Sequence, residues 1–252
     1  MSSISRRKLI TAGIAATAGV AGVGAAWRLG RSAGLVPPDC RSAFGAGATL
    51  TYGAQRLLTR HSMAREFPRS MISKAPFGNE LAPPPEEFKR LQAGGFADWK
   101  LTVDGMVAHP LTLSPSDLRR FPVRSQITEI SCEEGWSYIA EWIGTPLYEV
   151  LHEAGVLPQA RYIVYRSIEP FWWDSLDMAD AMHPQTLLTY AMNDGELPVR
   201  FGAPIRLRVP RQLGYKSMKF IVRLTATDSM KNFGKGLGSA SPEVGYSWYA
   251  GI

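Results

Sequence analysis

Glu129-Ile-Ser-Cys-Glu-Glu-Gly-Trp-Ser137 lies near the middle of the chain, and its reading sets the rest. A run of strand composition, Pro122 to Ile130, leads into it. A polar turn with Gly135 follows, and then an aromatic segment from Trp136 to Trp142. A thiol at the end of a strand, in front of a tight turn, is presented rather than packed. That placement suits a metal ligand or a nucleophile. Free cysteines are also common in cores, so spacing alone leaves packing open beside the chemical readings of Cys132.

Working outward, Arg161-Tyr-Ile-Val-Tyr-Arg166 and Phe220 to Thr227 carry the aromatic and β-branched content of strands. Ile205-Arg-Leu-Arg-Val209 alternates apolar and basic residues and predicts a half-exposed strand. Asp104-Gly105, between apolar runs, predicts a hairpin turn. Ser114-Pro-Ser-Asp117 predicts a helix start with a capping box, and Thr145-Pro146 a second helix, stopped by Gly155. Ser175–Met182 and Gln185–Met192 read as further short helices. Strands outnumber helices and do not alternate regularly with them, which argues for an α+β fold.

The chain has 252 residues, 45% hydrophobic and 20% charged, as expected of an ordinary globular protein. Its two cysteines, Cys40 and Cys132, provide no disulfide framework. At the N-terminus, Ser5-Arg-Arg-Lys-Leu-Ile10 precedes an uncharged run from Leu9 to Trp27. This resembles a twin-arginine export signal, or it is retained as an anchor. Residues 1–30 are therefore assigned to that segment, 31–60 to a Gly-, Ala-, Ser- and Arg-rich linker, and 61–252 to the folded domain.

Positive charge concentrates late in the chain. Arg200, Arg206, Arg208, Arg211, Lys216, Lys219 and Arg223 fall within 24 residues, and no acid lies between Glu196 and Asp228. Such a cluster is either a solvated strand face or an anion site, since arginine makes fork-like contacts to phosphate. Few aromatics interleave with it and no nucleic-acid motif is present, so no nucleic-acid partner is expected. His61, His109 and His183 read as loop or packing residues.

Five stretches together carry a resemblance: Ser131-Cys-Glu-Glu-Gly-Trp-Ser137, Trp142-Ile-Gly-Thr-Pro-Leu147, His183-Pro-Gln-Thr-Leu-Leu188, Gly202-Ala-Pro-Ile-Arg-Leu207 and Gly214-Tyr-Lys-Ser-Met-Lys219. They resemble the molybdopterin-binding oxidoreductases of the sulfite oxidase fold, with mixed β-sheets and short helices. Within them the chain looks closest to the exported protein-methionine-sulfoxide reductase catalytic subunits and their uncharacterised relatives. The resemblance implies a mononuclear molybdenum-molybdopterin cofactor with Cys132 as its one protein ligand, a soft donor suited to a sulfur-rich centre. It assigns Asn79, Ser167, Arg206, Ser217, Met218 and Lys219 to the cofactor, the last four on its phosphate side. Phe201 stands where relatives often carry Asn or His, so a hydrogen bond to the cofactor is expected to be missing there.

Sulfite oxidases follow their cysteine with arginines that bind the anion; this chain has Glu133 and Glu134. A like-charge pair at ~4 Å costs about 4 kcal/mol at an effective dielectric near 20. The resemblance therefore implies oxygen-atom transfer on a sulfoxide-type or other small substrate and not on sulfite, with Glu134 either handling a proton or sitting as a solvated turn residue. The alternatives are a sulfite-type dehydrogenase, a cofactor-free binding module on the same fold, and a thiol enzyme using Cys132 as nucleophile. No His-Pro-Gly-Gly haem motif is present. Electrons would thus pass through a separate protein, a membrane haem protein or a soluble cytochrome. A periplasmic or otherwise exported location follows from the N-terminal signal and its export machinery.

Overall fold

The computed structural model describes residues 25, 28–31, 34–78 and 84–252. Most of residues 1–30, to which the export signal was assigned, and Asn79 lie outside the described residues. Two five-stranded assemblies make up the fold. The first is ordered β2-β1-β10-β5-β6, from Leu111–Leu113, Leu101–Gly105, Ile221–Thr227, Tyr162–Ser167 and Trp173–Asp177. Its β1 and β10 run parallel and its other pairs antiparallel. The second is the path β3-β4-β7-β8, from Arg124–Ser131, Ser137–Pro146, Leu187–Met192 and Gly195–Glu196, with β9 (Arg206–Arg208) paired to β7. These mixed sheets with short helices are the expected α+β arrangement.

One core gathers Leu101, Ile163, Tyr165 and Leu224 of the first sheet and Trp99 just before it with Leu147, Val150 and Leu151 of a helix. A second, under Cys132, gathers Ile130, Tyr138, Trp142, Leu187 and Phe201. The helices are α1 (Gly45–Leu58), α2 (Glu86–Ala93), α3 (Pro115–Leu118), α4 (Leu147–Glu153) and α5 (Met178–Ala181). The capping box of α3 forms as predicted: Asp117 N–H donates to Ser114 Oγ at 3.1 Å and Ser114 N–H to Asp117 Oδ2 at 2.9 Å. No helix among the described residues is long and apolar enough to cross a membrane.

Five local expectations are corrected. Residues 45–58 are not linker but helix α1. Arg56 on its inner face pairs with Asp177 at 2.7 Å and Asp180 at 2.6 Å, and Tyr52 Oη donates to Asp177 at 2.7 Å. Asp104-Gly105 is not a turn tip but the end of β1. A Cβ on Gly105 would fall 2.2 Å from the Ala226 carbonyl oxygen on parallel β10, so close strand approach explains this glycine. Thr145 does not cap α4; its hydroxyl donates to the Leu118 carbonyl at 2.7 Å. Ser175 belongs to β6, and Asp177 caps the one-turn α5 instead. Residues 187–192 form strand β7, almost wholly buried. A continuous apolar run does not distinguish a central strand from a buried helix.

The sixth difference bears on the site. β9 is not half exposed: Arg206, Leu207 and Arg208 are all buried. The strand's basic positions point into the protein, not into solvent.

Candidate functional site

Cys132 follows directly on β3, and β4 begins at Ser137. Between them the chain reverses tightly. Cys132 N–H donates to the Trp136 carbonyl at 2.9 Å, and Gly135 N–H to the Cys132 carbonyl at 3.1 Å. Gly135 takes φ +91°, which glycine adopts without the penalty a side chain brings. The turn holds the thiol at the mouth of a cleft of about 260 Å³. Phe77, Trp136, Trp172 and Phe201 supply its aromatic lining, and Glu133, Glu134, Glu169, Arg206 and Lys219 its charges.

The basic stretches come to the same cleft from the other half of the chain. Gly214 lies against the thiol's backbone: a Cβ there would sit 3.4 Å from Cys132 Cα and 3.5 Å from its Cβ. Ser217, Met218 and Lys219, one turn later, line the cleft with Arg206. Gly202, at φ +111°, leaves room for Lys219 and Arg206, whose side chains would meet a Cβ at 2.9 and 3.1 Å.

The seven cations of the cluster differ in their partners: Arg200 lies over the Phe201 ring at 4.8 Å, and Lys219 donates to the Arg200 carbonyl at 2.6 Å. Lys216 turns away to buried Asp174, Arg211 pairs with Asp180 and Arg223 with Asp104. Arg206 and Arg208 are buried with neutral acceptors only. Arg206 donates to the Phe201 and Ser217 carbonyls at 2.9 and 2.5 Å. Arg208 donates to Ser217 Oγ and Thr128 Oγ1, both at 3.2 Å, and to the Glu129 carbonyl. Both guanidiniums lie over the Trp142 ring, at 5.0 and 5.5 Å. Arg208 Nε is buried with no hydrogen-bond partner. Burial lowers the pKa of both; that of Arg208, with Arg206 beside it, falls to about 9. Burial, then Arg206, brings Lys219 down to about 8. Unmatched buried charge costs several kcal/mol per ion, and an anion bound in this cleft offsets that cost.

At the thiol the electrostatics run the other way. Burial, followed by the Glu133 carboxylate 3.1 Å from Sγ, pushes the Cys132 thiol up to about 12. Without a cation the sulfur holds its proton; a metal ion would replace that proton. Glu134 accepts from Trp136 Nε1 at 2.7 Å, so the carboxylate is oriented by its own turn. Among the described residues no group of three or more His, Cys, Asp and Glu side chains converges as a metal site. Cys132 is the one thiol that lines this cleft.

The structure thus brings Cys132, Glu134, Arg206, Ser217, Met218 and Lys219 to one cleft. Ser217 Oγ is already engaged, accepting from Val209 N–H at 3.0 Å, so its side chain supports Arg208. Ser167 ends β5, buried, and accepts from Glu169 N–H at 3.1 Å; it is Glu169 that lines the cleft. Phe201 closes one wall with its ring, 5.8 Å from that of Tyr138. Sequence reasoning assigned no role to Glu169 or Trp172. The signal available was their position just beyond strand β5, at the tip of the β5–β6 hairpin.

Three comparisons bear on this geometry. Residues 89–233 match the family model of the oxidoreductase molybdopterin binding domain. The chain is 33% identical over 195 residues to a protein of Azospira oryzae named as a protein-methionine-sulfoxide reductase subunit, YedZ1, covering 77% of this chain and 70% of that one. The crystal structure of the sulfane dehydrogenase SoxCD from Paracoccus pantotrophus superposes with a TM-score of 0.51 at 26% identity. That match covers 52% of this chain and 39% of SoxCD, so the chain spans well under half of that protein. A molybdenum-molybdopterin group, anionic at its phosphate and sulfur-ligated at its metal, fits the residues present: buried Arg206 with Lys219 on one side and a single thiol on the other. The chain belongs to the molybdopterin-binding oxidoreductases and has the sulfite-oxidase-type fold of that family.

Proposed function

We propose that this chain is an exported molybdenum enzyme that removes an oxygen atom from a sulfoxide-type substrate and does not act on sulfite. The observation that carries this reading is the charge distribution of the cleft. Its two lining cations, Arg206 and Lys219, belong to the stretches that the resemblance assigns to the cofactor phosphate. Glu133 and Glu134 occupy the turn beside the thiol. Gly78 also lines the cleft and adds no charge to it, and a side chain there is crowded: its Cβ would lie 3.1 Å from Phe201 Cε1 and 3.2 Å from Arg200 Cγ. A dianion meets repulsion here, whereas a neutral sulfoxide does not.

When bound, the cofactor supplies two-electron oxygen-atom transfer chemistry. The chain's own residues do the rest. Cys132 holds the metal as a thiolate. Arg206 and Lys219 balance the phosphate charge. Reducing a sulfoxide to a sulfide releases water and consumes a pair of electrons and a pair of protons. Glu134, held at one oxygen by Trp136, is the oriented carboxylate that passes a proton. The rings of Phe77, Trp136 and Trp172 offer an apolar wall to a thioether.

The name of the Azospira oryzae relative, a protein-methionine-sulfoxide reductase subunit, supports the substrate class. The arginine pair at residues 6 and 7 supports export to the periplasm in a folded, cofactor-loaded state. Electrons then arrive from a separate protein, a membrane haem protein or a soluble cytochrome. A reduced-viologen assay tests the reading. The loaded enzyme is expected to oxidise the dye with free or protein-bound methionine sulfoxide as acceptor, and to leave sulfite untouched when an oxidising dye is offered. Sulfite turnover with the larger kcat/KM would overturn it.

A further inference from the structure

Helix α1 has an unusual outer face. Its one charged residue, Arg56, points inward into the ion pairs with Asp177 and Asp180. The exposed positions are Ala46, Gly47, Leu50, Thr51, Ala54, Leu57 and Leu58, with no charge among them. Leu50, Leu57 and Leu58 are 75%, 71% and 81% exposed, and Phe44, just before the helix, is 67% exposed. A surface helix normally turns charged and polar residues outward. Contiguous exposed apolar surface of this kind marks an interaction site.

The charge around the face identifies what it meets. Arg41 and Arg60 are exposed just before and just after α1, and Arg60 and Arg161 border a cleft together with Tyr52 and Leu57 of the helix. Asp39, Asp177 and Asp180 are buried. The exposed acid Asp228 lines the neighbouring cleft, where Arg31, Arg41, Arg161, Lys231 and Lys235 outnumber it. An apolar face with a cationic rim has the chemistry of an interfacial helix on anionic lipid.

We propose that the outer face of α1 rests on an anionic membrane surface, with Leu50, Leu57 and Leu58 in the acyl boundary and the arginines at the headgroups. The geometry keeps the cleft in water. Tyr52 and Arg56 fasten α1 to Asp177, at one end of β6, while Trp172, at the other end of that strand, lines the cleft. The surface inference rests on α1 and its rim alone, independent of the substrate reading.

Flotation of the full-length, cofactor-loaded chain with phosphatidylglycerol-containing vesicles tests it, against pure phosphatidylcholine vesicles. The wild type is expected to float with the anionic vesicles, less so in high salt. Leu50→Glu/Leu57→Glu is expected to weaken binding by about tenfold or more, since each leucine contributes apolar burial. Thr51→Glu removes no apolar side chain and is expected to shift binding in the same direction. Unchanged melting temperature and molybdenum content show that both variants are folded. Binding unaffected by either variant would mean that the leading segment alone attaches the protein, and overturns the proposal. So does a wild type that self-associates through this face without floating, which makes the occupant a second copy.

Discussion

Glu134 illustrates what a single carboxylate is asked to do here. Its turn orients it through Trp136 Nε1, and it lines the cleft with Cys132. Glu134→Gln keeps the shape and the hydrogen bond but cannot carry a proton. The expected result is a fall in kcat of about 10²–10⁴-fold for sulfoxide reduction with KM little changed, read in steady-state assays at matched molybdenum content. Arg206 makes the opposite kind of case, a charge whose value depends on the bound group. Arg206→Met relieves unmatched buried charge, so the cofactor-free variant is expected to melt no lower than the cofactor-free wild type. The loaded wild type gains stability from its ligand, and the variant is expected to lose most of that gain. Thermal melts of both proteins in both states check this; a large loss in the cofactor-free state would mean that Arg206 is structural. The motifs of Cys132, Arg206 and Lys219 singled them out, and the fold brings all three to one cleft. Glu169 was not, because a lone acid at a hairpin tip looks like any solvated turn residue.

At the scale of elements, the buried network under α1 sets the attachment of the N-terminal region. Arg56 bridges Asp177 and Asp180, and Arg211 and Gln212 add further donors to Asp180 at 3.1 and 2.6 Å. Removing one partner from such a cluster leaves carboxylates buried beside each other. Arg56→Ala is therefore expected to cost about 3–5 kcal/mol, measured by denaturant unfolding, and to raise amide exchange across 45–58. A loss below 1 kcal/mol, the range of surface pairs, would contradict this. Composition hid the element: Gly, Ala and Thr dominate α1, and its hydrophobic face looks outward. The capping box at Ser114 was readable because its signal is local. β7 was not, because burial on both faces erases alternation, and β9 was readable as a strand but not as a buried one. The inward arginines of β9 imitate a solvated strand, and only the pairing of β9 with β7 reveals them.

The whole molecule carries a pH dependence through His183. Its Nδ1 accepts from Gln185 N–H at 3.2 Å and the residue is 5% exposed, so burial, and then Arg211, lowers its pKa to about 4. The unfolded chain takes up the proton near pH 6.5, the folded chain only near 4. Between those values the unfolded state binds more protons, so stability falls as pH falls, by at most about 3 kcal/mol, and the contribution levels off below pH 4. His183→Asn is expected to flatten this part of the stability profile; an unchanged slope from pH 6.5 to 4 would assign it to other groups.

Across the molecule, the motifs around Cys132 and the late basic cluster lie far apart in sequence and meet at Gly214, which packs against the thiol's backbone. That meeting carries the proposal: one cleft offers Cys132 to a metal and Arg206 and Lys219 to an anionic pterin. The most direct measurement is molybdenum and pterin content of the purified chain, wild type and Cys132→Ala, expressed in a molybdenum-replete host. The account predicts stoichiometric molybdenum in the wild type and its loss in Cys132→Ala, with the fold intact by circular dichroism. A wild-type chain free of molybdenum, or a Cys132→Ala chain that retains it, would contradict the account.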